Sequence, residues 1–174
     1  MSPPRRPWTR LASVALAGHV FFELGAGVGM PGASVAGPVP AAVAWAAATA
    51  RVLRAAGSPS AGTGLAVVNA GGLAAVGAHL SGWPHRWTRA GLPWMTDCEG
   101  LGPELMPWYN PVVLAGGAAA LVALVRENRD APWAARVLPL ALLPVLVRLQ
   151  HVEHRRLREQ ARRRPGWWNR RLQP

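Results

Sequence analysis

Residues 64–80 read GLAVVNAGGLAAVGAHL, a run that is apolar on every side of a helix. A soluble helix keeps a polar face at the 3.6-residue period, whereas a helix apolar all round belongs in a large core or in lipid. Four further blocks share this character, at residues 11–30, 35–53, 107–125 and 131–149, and the first run extends to residue 82. Each approaches the ~20 residues that cross ~30 Å of hydrocarbon as a helix, and none alternates as a barrel strand does. Nearly all the charge lies between or beyond the blocks.

The expected fold is therefore all-α, an integral membrane bundle of about five transmembrane helices. Residues 1–10 form a basic N-terminal segment, 11–149 the helical domain and 150–174 an arginine-rich C-terminal tail. A soluble alanine-rich helical protein is the alternative suggested by a mean hydropathy of only +0.13. The absence of a polar face on the blocks speaks against it. Small residues, as at Gly25-x-x-x-Gly29 and at Ala70, Ala74 and Ala78, also suit close helix packing in lipid. The first block is too long for the apolar core of a secretory signal and carries a glutamate, so it reads as an uncleaved helix.

All 19 basic residues are arginine, against 8 acids, for a net charge of +11. Eight of the arginines lie in HVEHRRLREQARRRPGWWNRRLQP, which reads as a lipid-facing tail that meets anionic headgroups, with Trp167 and Trp168 at the interface. Nucleic acid is not the expected partner. Five crossings put the two basic ends on opposite sides, which the positive-inside rule disfavours. Placing the C-terminal tail in the cytoplasm accommodates the larger arginine cluster. A four-crossing arrangement with the second or fifth block re-entrant would put both ends inside. Cys98 is the single cysteine, so no disulfide forms within the chain.

The first block contains two residues that do not belong in hydrocarbon, His19 and Glu23. They are four apart and so share a helix face. An ionisable side chain at such a depth is expensive and marks a functional site by default. Counted along parallel first and third helices, Glu23 and His79 fall at ~18 and ~21 Å, near one level. The third helix then leads into a long Trp-, Pro- and Gly-rich loop, residues 83–106. That loop contains MTDCEGLGPELMPWYNP, with Asp97, Glu99 and Glu104 on the side where the first and third helices end. Loops of this length are seldom mere spacers.

These residues define the expected site. Glu23, Asp97, Glu99 and His79 are the acid–base groups, and His19, Trp94, Trp108 and Tyr109 are the groups around a substrate. No metal or other cofactor is expected. A haem between His19 and His79 is disfavoured because the depth count separates them by ~10 Å. A protonated carboxyl in a dry cavity donates to an alkene, epoxide or carbonyl, and aromatic faces stabilise the positive charge that develops. The expected activity is acid–base chemistry, cyclase- or isomerase-like, on a hydrophobic isoprenoid or other lipid substrate. This logic is similar in kind to that of small integral-membrane terpene cyclases, although none of their motifs is matched residue by residue. The alternative is a non-catalytic membrane subunit, an anchor or a carrier in which Glu23 holds a proton or cation.

Overall fold

A computed structural model describes residues 6–173; residues 1–5, including Arg5 of the basic segment, and Pro174 lie outside it. The fold is a helical bundle. Its first helix, α1 (Pro7–Ala26), starts four residues earlier than the apolar block. Proline in the first turn has its φ preset for a helix and lacks an N–H that would go unpaired there. The free N–H groups of Trp8 and Thr9 are taken up by the Glu127 carboxylate, at 2.7 and 2.9 Å, and the Thr9 hydroxyl donates to it as well. A negative charge there also complements the helix dipole. At the other end Gly27, at φ 89°, stops the helix, and the Val28 N–H reaches back to the Glu23 carbonyl in a Schellman turn.

A single turn, α2 (Ala33–Ala36), precedes α3 (Pro38–Ala55). Glu153 accepts from the N–H groups of Gly32 and Ser34 at 3.1 and 2.9 Å and from the Ser34 hydroxyl. Next come α4 (Gly62–Gly82) and the long loop. Two three-residue strands, β1 (His85–Trp87) and β2 (Pro93–Met95), pair antiparallel in the loop with Arg86 opposite Trp94. Asn110 ties this hairpin to α5 (Met106–Arg126), accepting from Met95 N–H at 2.9 Å and donating to Met95 O at 3.0 Å. α1 packs along α5 and α3, α5 along α4, and α4 against the closing helical segment.

That closing segment departs from the expected fifth block. Pro139 and Pro144 each remove a backbone donor. The chain passes from α6 (Trp133–Val137) through a 3₁₀ stretch, Leu138–Leu142, into α7 (Leu143–Arg163). The apolar pattern stops near Arg148 but the helix does not, so the first half of the expected tail is helix. Its remainder makes a 3₁₀ turn, Trp167–Leu172, folded back on the bundle. Asn169 and Leu172 are buried, Arg171 N–H donates to Gly27 O at 3.0 Å, and the Arg171 guanidinium meets Glu104 at 2.5 Å. Trp167 is exposed, while Trp168 packs against the core.

Three elements among the described residues have the length and hydropathy to cross a membrane, Pro59–Gly82, Met106–Arg126 and Trp133–Arg163, rather than five. α1 and α3 reach the length but not the hydropathy, because Arg10, His19 and Glu23 interrupt the one and Arg51 and Arg54 the other. The outer surface is apolar nonetheless: Val39, Val43, Leu121, Val125, Leu142, Val145 and Leu149 are all exposed. The interior holds Thr9, Ser13, His19, Glu23, Asn69, His79, Asn110 and Asn128.

Small residues set the helix spacing, though not all where expected. Ala66, Ala70, Ala74 and Ala78 form a buried stripe along α4. Gly25 faces nothing within 4 Å, and Gly29 belongs to the turn after α1, where Leu157 sits against it. The Gly25-x-x-x-Gly29 spacing is therefore not a packing stripe. The close approach is instead at Gly116 and Gly117, where an added Cβ would lie 3.3 Å from Ala15 and 2.9 Å from Val76. Gly117→Val should destabilise the bundle by about 1–3 kcal/mol through overpacking. Thermal unfolding in detergent would show it as a lowered midpoint, with Gly25→Val as the unaffected control.

Candidate functional site

The centre of the bundle is polar. Glu23 leaves α1 one turn after His19, and His79 faces the pair from α4, one turn before that helix ends. Tyr109, from the start of α5, donates its hydroxyl hydrogen bond to Glu23 Oε1. His79 Nε2 lies 3.5 Å from the same oxygen, close enough for an ion pair but outside hydrogen-bond geometry. Glu23 and Tyr109 are fully buried and His19 nearly so. The rings of His19 and His79 meet edge to face at 5.2 Å, and Tyr109 is 6.1 Å from His19 and 5.7 Å from Phe22.

The ~10 Å separation expected between His19 and His79 is thus corrected. The depth count started both helices at the edges of their apolar blocks, but α1 begins at Pro7 and α4 at Gly62.

Orientation within the cluster is fixed from outside it. His79 Nδ1 lies 3.0 Å from Ala75 O. A carbonyl only accepts, so Nδ1 carries the hydrogen and, in the neutral ring, Nε2 presents its lone pair to Glu23. Both Glu23 Oε2 and His79 Nε2 are buried with no hydrogen-bond partner. His19, Glu23 and His79 each offer a ligand-type atom, and these lie within 4.8 Å of one another, so the three are the residues able to hold a cation here.

Glu99 reaches the same region from the loop. Its backbone is left-handed, at φ 53°, a conformation rare outside glycine. Asp97 holds that turn: its Oδ1 accepts from Cys98 N–H at 2.8 Å and Gly102 N–H at 3.0 Å. The structure therefore places Asp97 beneath the turn and Glu99 in the interior, and the two acids do not share a surface. Burial, reinforced by the Glu23 and Glu153 carboxylates and opposed by His79, pushes Glu99 up to about 8. Cys98, with its sulfur 3.9 Å from the Tyr109 hydroxyl, is also pushed up, chiefly by burial, as expected of an inert thiol.

The sign of the Glu99 effect is definite. A carboxyl with a folded-state value above its unfolded one binds more protons folded than unfolded between the two. Stability should fall as pH rises from about 4.5 to about 8. Unfolding midpoints across that range would show the slope, and Glu99→Gln should flatten it.

A cavity of about 340 Å³ opens beside these groups. His79 and Glu99 are in its wall with Trp45 of α3, Leu146, Leu149 and Val152 of α7, and Arg156. This volume falls in the usual range for small-molecule sites, and the lining is mostly apolar with a few polar groups. Trp45 is fixed by its indole N–H to Pro31 O at 3.1 Å, and Gln150 by donating to Ala78 O at 2.8 Å. Sequence reasoning missed Trp45, the cavity residues of α7 and the structural roles of Glu127 and Glu153. Of the expected substrate contacts, Tyr109 and His19 are in the cluster. Trp94 sits in the β2 hairpin and Trp108 is exposed on α5, and neither lines the cavity. Comparison with protein families, with curated proteins and with solved structures gives no match.

Proposed function

We propose that the protein is a membrane-embedded enzyme that moves protons on a hydrophobic substrate, isoprenoid or other lipid, held in the cavity between α3, α4 and α7. The observation that carries this reading is the pair His79 and Glu99 on one wall of a largely apolar chamber. Glu99, held protonated toward neutral pH by burial, gives a proton to the substrate. The buried pair of His79 and Glu23, held by Tyr109, takes one from a neighbouring position. The result is an isomerisation with no net gain or loss of atoms, and the cluster is restored by proton exchange.

Lipid is the solvent that the molecular surface suits. The long span Trp133–Arg163 buries none of its most apolar window, and many valines and leucines lie on the outside while a set of polar side chains, among them Glu23, Asn69 and Asn110, is buried within. Exposing such a surface to water would be unfavourable by ~25 cal/mol per Å². α1 and α3 pack beside these spans and complete the bundle. The arginines of α7 and its 3₁₀ turn put the cavity end of the bundle on the cytoplasmic side, against anionic headgroups.

Proton transfer leaves a label. In proteoliposomes made in D₂O with a panel of unsaturated isoprenoids and lipids, at least one should gain solvent deuterium, read by mass spectrometry. If no lipid gains deuterium above protein-free vesicles, the enzymatic reading fails and a non-catalytic membrane subunit takes its place.

A further inference from the structure

We infer that His19, Glu23 and His79 form a binding site for one divalent transition-metal ion, Zn²⁺ or Fe²⁺ by its chemistry. Buried polar atoms without partners are rare, and each asks for an explanation such as a bound ion. Here two of them, Glu23 Oε2 and His79 Nε2, lie in one cluster. Lone pairs are what these atoms offer, and with His19 they make three ligand-type atoms within 4.8 Å of one another, a donor set for an ion.

The donor set is two imidazoles and one carboxylate, with ligand atoms within 4.8 Å of one another. Bonds of ~2.0–2.2 Å would require the side chains to close in by about an ångström, within reach of small rotamer changes. Two histidines and one carboxylate suit Zn²⁺ and non-haem Fe²⁺, and three protein ligands leave a coordination position free. The cluster adjoins the cavity, because His79 is part of its wall.

The surroundings are those that orient ligands. Metal-bound histidines donate their second N–H to a carbonyl or carboxylate, and bound carboxylates are themselves hydrogen-bonded. His79 Nδ1 points to Ala75 O at 3.0 Å, and Tyr109 donates to Glu23. Cys98 is turned toward Tyr109 and lies outside the donor set. The inference rests on the reading of the cavity as a reaction chamber and changes one role in it: with the ion in place His79 is a ligand, and the Glu99 carboxylate, once its proton has gone to the substrate, takes the proton from the neighbouring position.

The test uses the full chain in detergent, stripped with a chelator and titrated with Co²⁺ alone. About one ion per chain should survive buffer exchange, produce a visible d–d band, raise the unfolding midpoint and be displaced by Zn²⁺. His19→Ala and His79→Ala should each weaken Co²⁺ binding by about 100-fold or more, and Tyr109→Phe by about 10-fold. Glu99→Gln should bind as the wild type does. If His19→Ala does not fold, His19→Gln is read by the loss of the Co²⁺-induced midpoint shift.

A wild type that retains no Co²⁺, or a His19 variant that holds it as tightly as the wild type, overturns the site. So does loss of binding in the His151→Ala, His154→Ala double variant, since those rings stack on Trp83 away from the cluster. Deuterium incorporation separates the two proposals. If the protein retains no Co²⁺ yet labels a lipid, and Glu99→Gln does not label it, the metal site falls and the acid–base reading stands. Metal bound at the cluster without any labelling supports the site and removes the isomerase.

Discussion

Glu99→Gln should lower solvent-deuterium incorporation by about 10²–10⁴-fold, the usual worth of a positioned proton donor. Gln nearly preserves the shape of Glu and is neutral, as the protonated acid is, so the cavity keeps its volume and the loop its left-handed turn. Lipid binding, measured by retention of a labelled isoprenoid on the purified protein, should change less than a few-fold. Equal losses in binding and in turnover would mean that Glu99 shapes the cavity without giving up a proton. The wild-type rate should also fall above about pH 8, where Glu99 loses its proton. Asp97→Asn is the useful contrast. Its Oδ1 still accepts from Cys98 and Gly102, so turnover should survive, whereas Asp97→Ala frees the turn and should impair both binding and turnover.

Glu23→Ala should destabilise the bundle by about 2–4 kcal/mol. The substitution orphans the buried Tyr109 hydroxyl, at about 1–3 kcal/mol, removes the ion-pair neighbour of His79 and leaves a cavity where the side chain was. The upper end of that sum is discounted because separated helices in lipid find other partners for such groups. Glu23→Gln retains an acceptor for Tyr109 and should lose about half as much. Unfolding midpoints of the three proteins in one detergent decide this. If Glu23→Ala were as stable as the wild type, the carboxylate would be a burden retained for chemistry alone.

The sequence contained much of this cluster. His19 and Glu23 betray themselves because they interrupt hydrocarbon-like sequence four residues apart, and counting along the helices brings His79 to the same level. Tyr109 was singled out beside Trp94 and Trp108, but nothing in one loop tells which aromatic turns inward. That is decided by α5 beginning at Met106, which buries Tyr109 and leaves Trp108 outside. The choice between Asp97 and Glu99 was equally hidden, since it depends on hydrogen bonds across a six-residue turn. The course of α7 was missed for another reason. Hydropathy marks where a helix leaves the apolar phase and is silent on where the helix stops, so His151–Arg163 read as tail. Nothing in the sequence signals the roles of Glu127 and Glu153, because the helix ends they serve are more than a hundred residues away in the chain.

The 3₁₀ turn Trp167–Leu172 has a consequence for how the protein comes into being. Arg171 grips Leu101 O at 3.2 Å and Glu104, and Leu172 lies against Gly100, so this stretch clamps the loop that carries Glu99. At ~5–20 residues per second, the ribosome adds the clamp roughly 4–15 s after Glu99 itself. During that interval the helices can pair while their acid remains unseated. Maturation of the site is thus a late event in biogenesis, separate in time from the pairing of the helices.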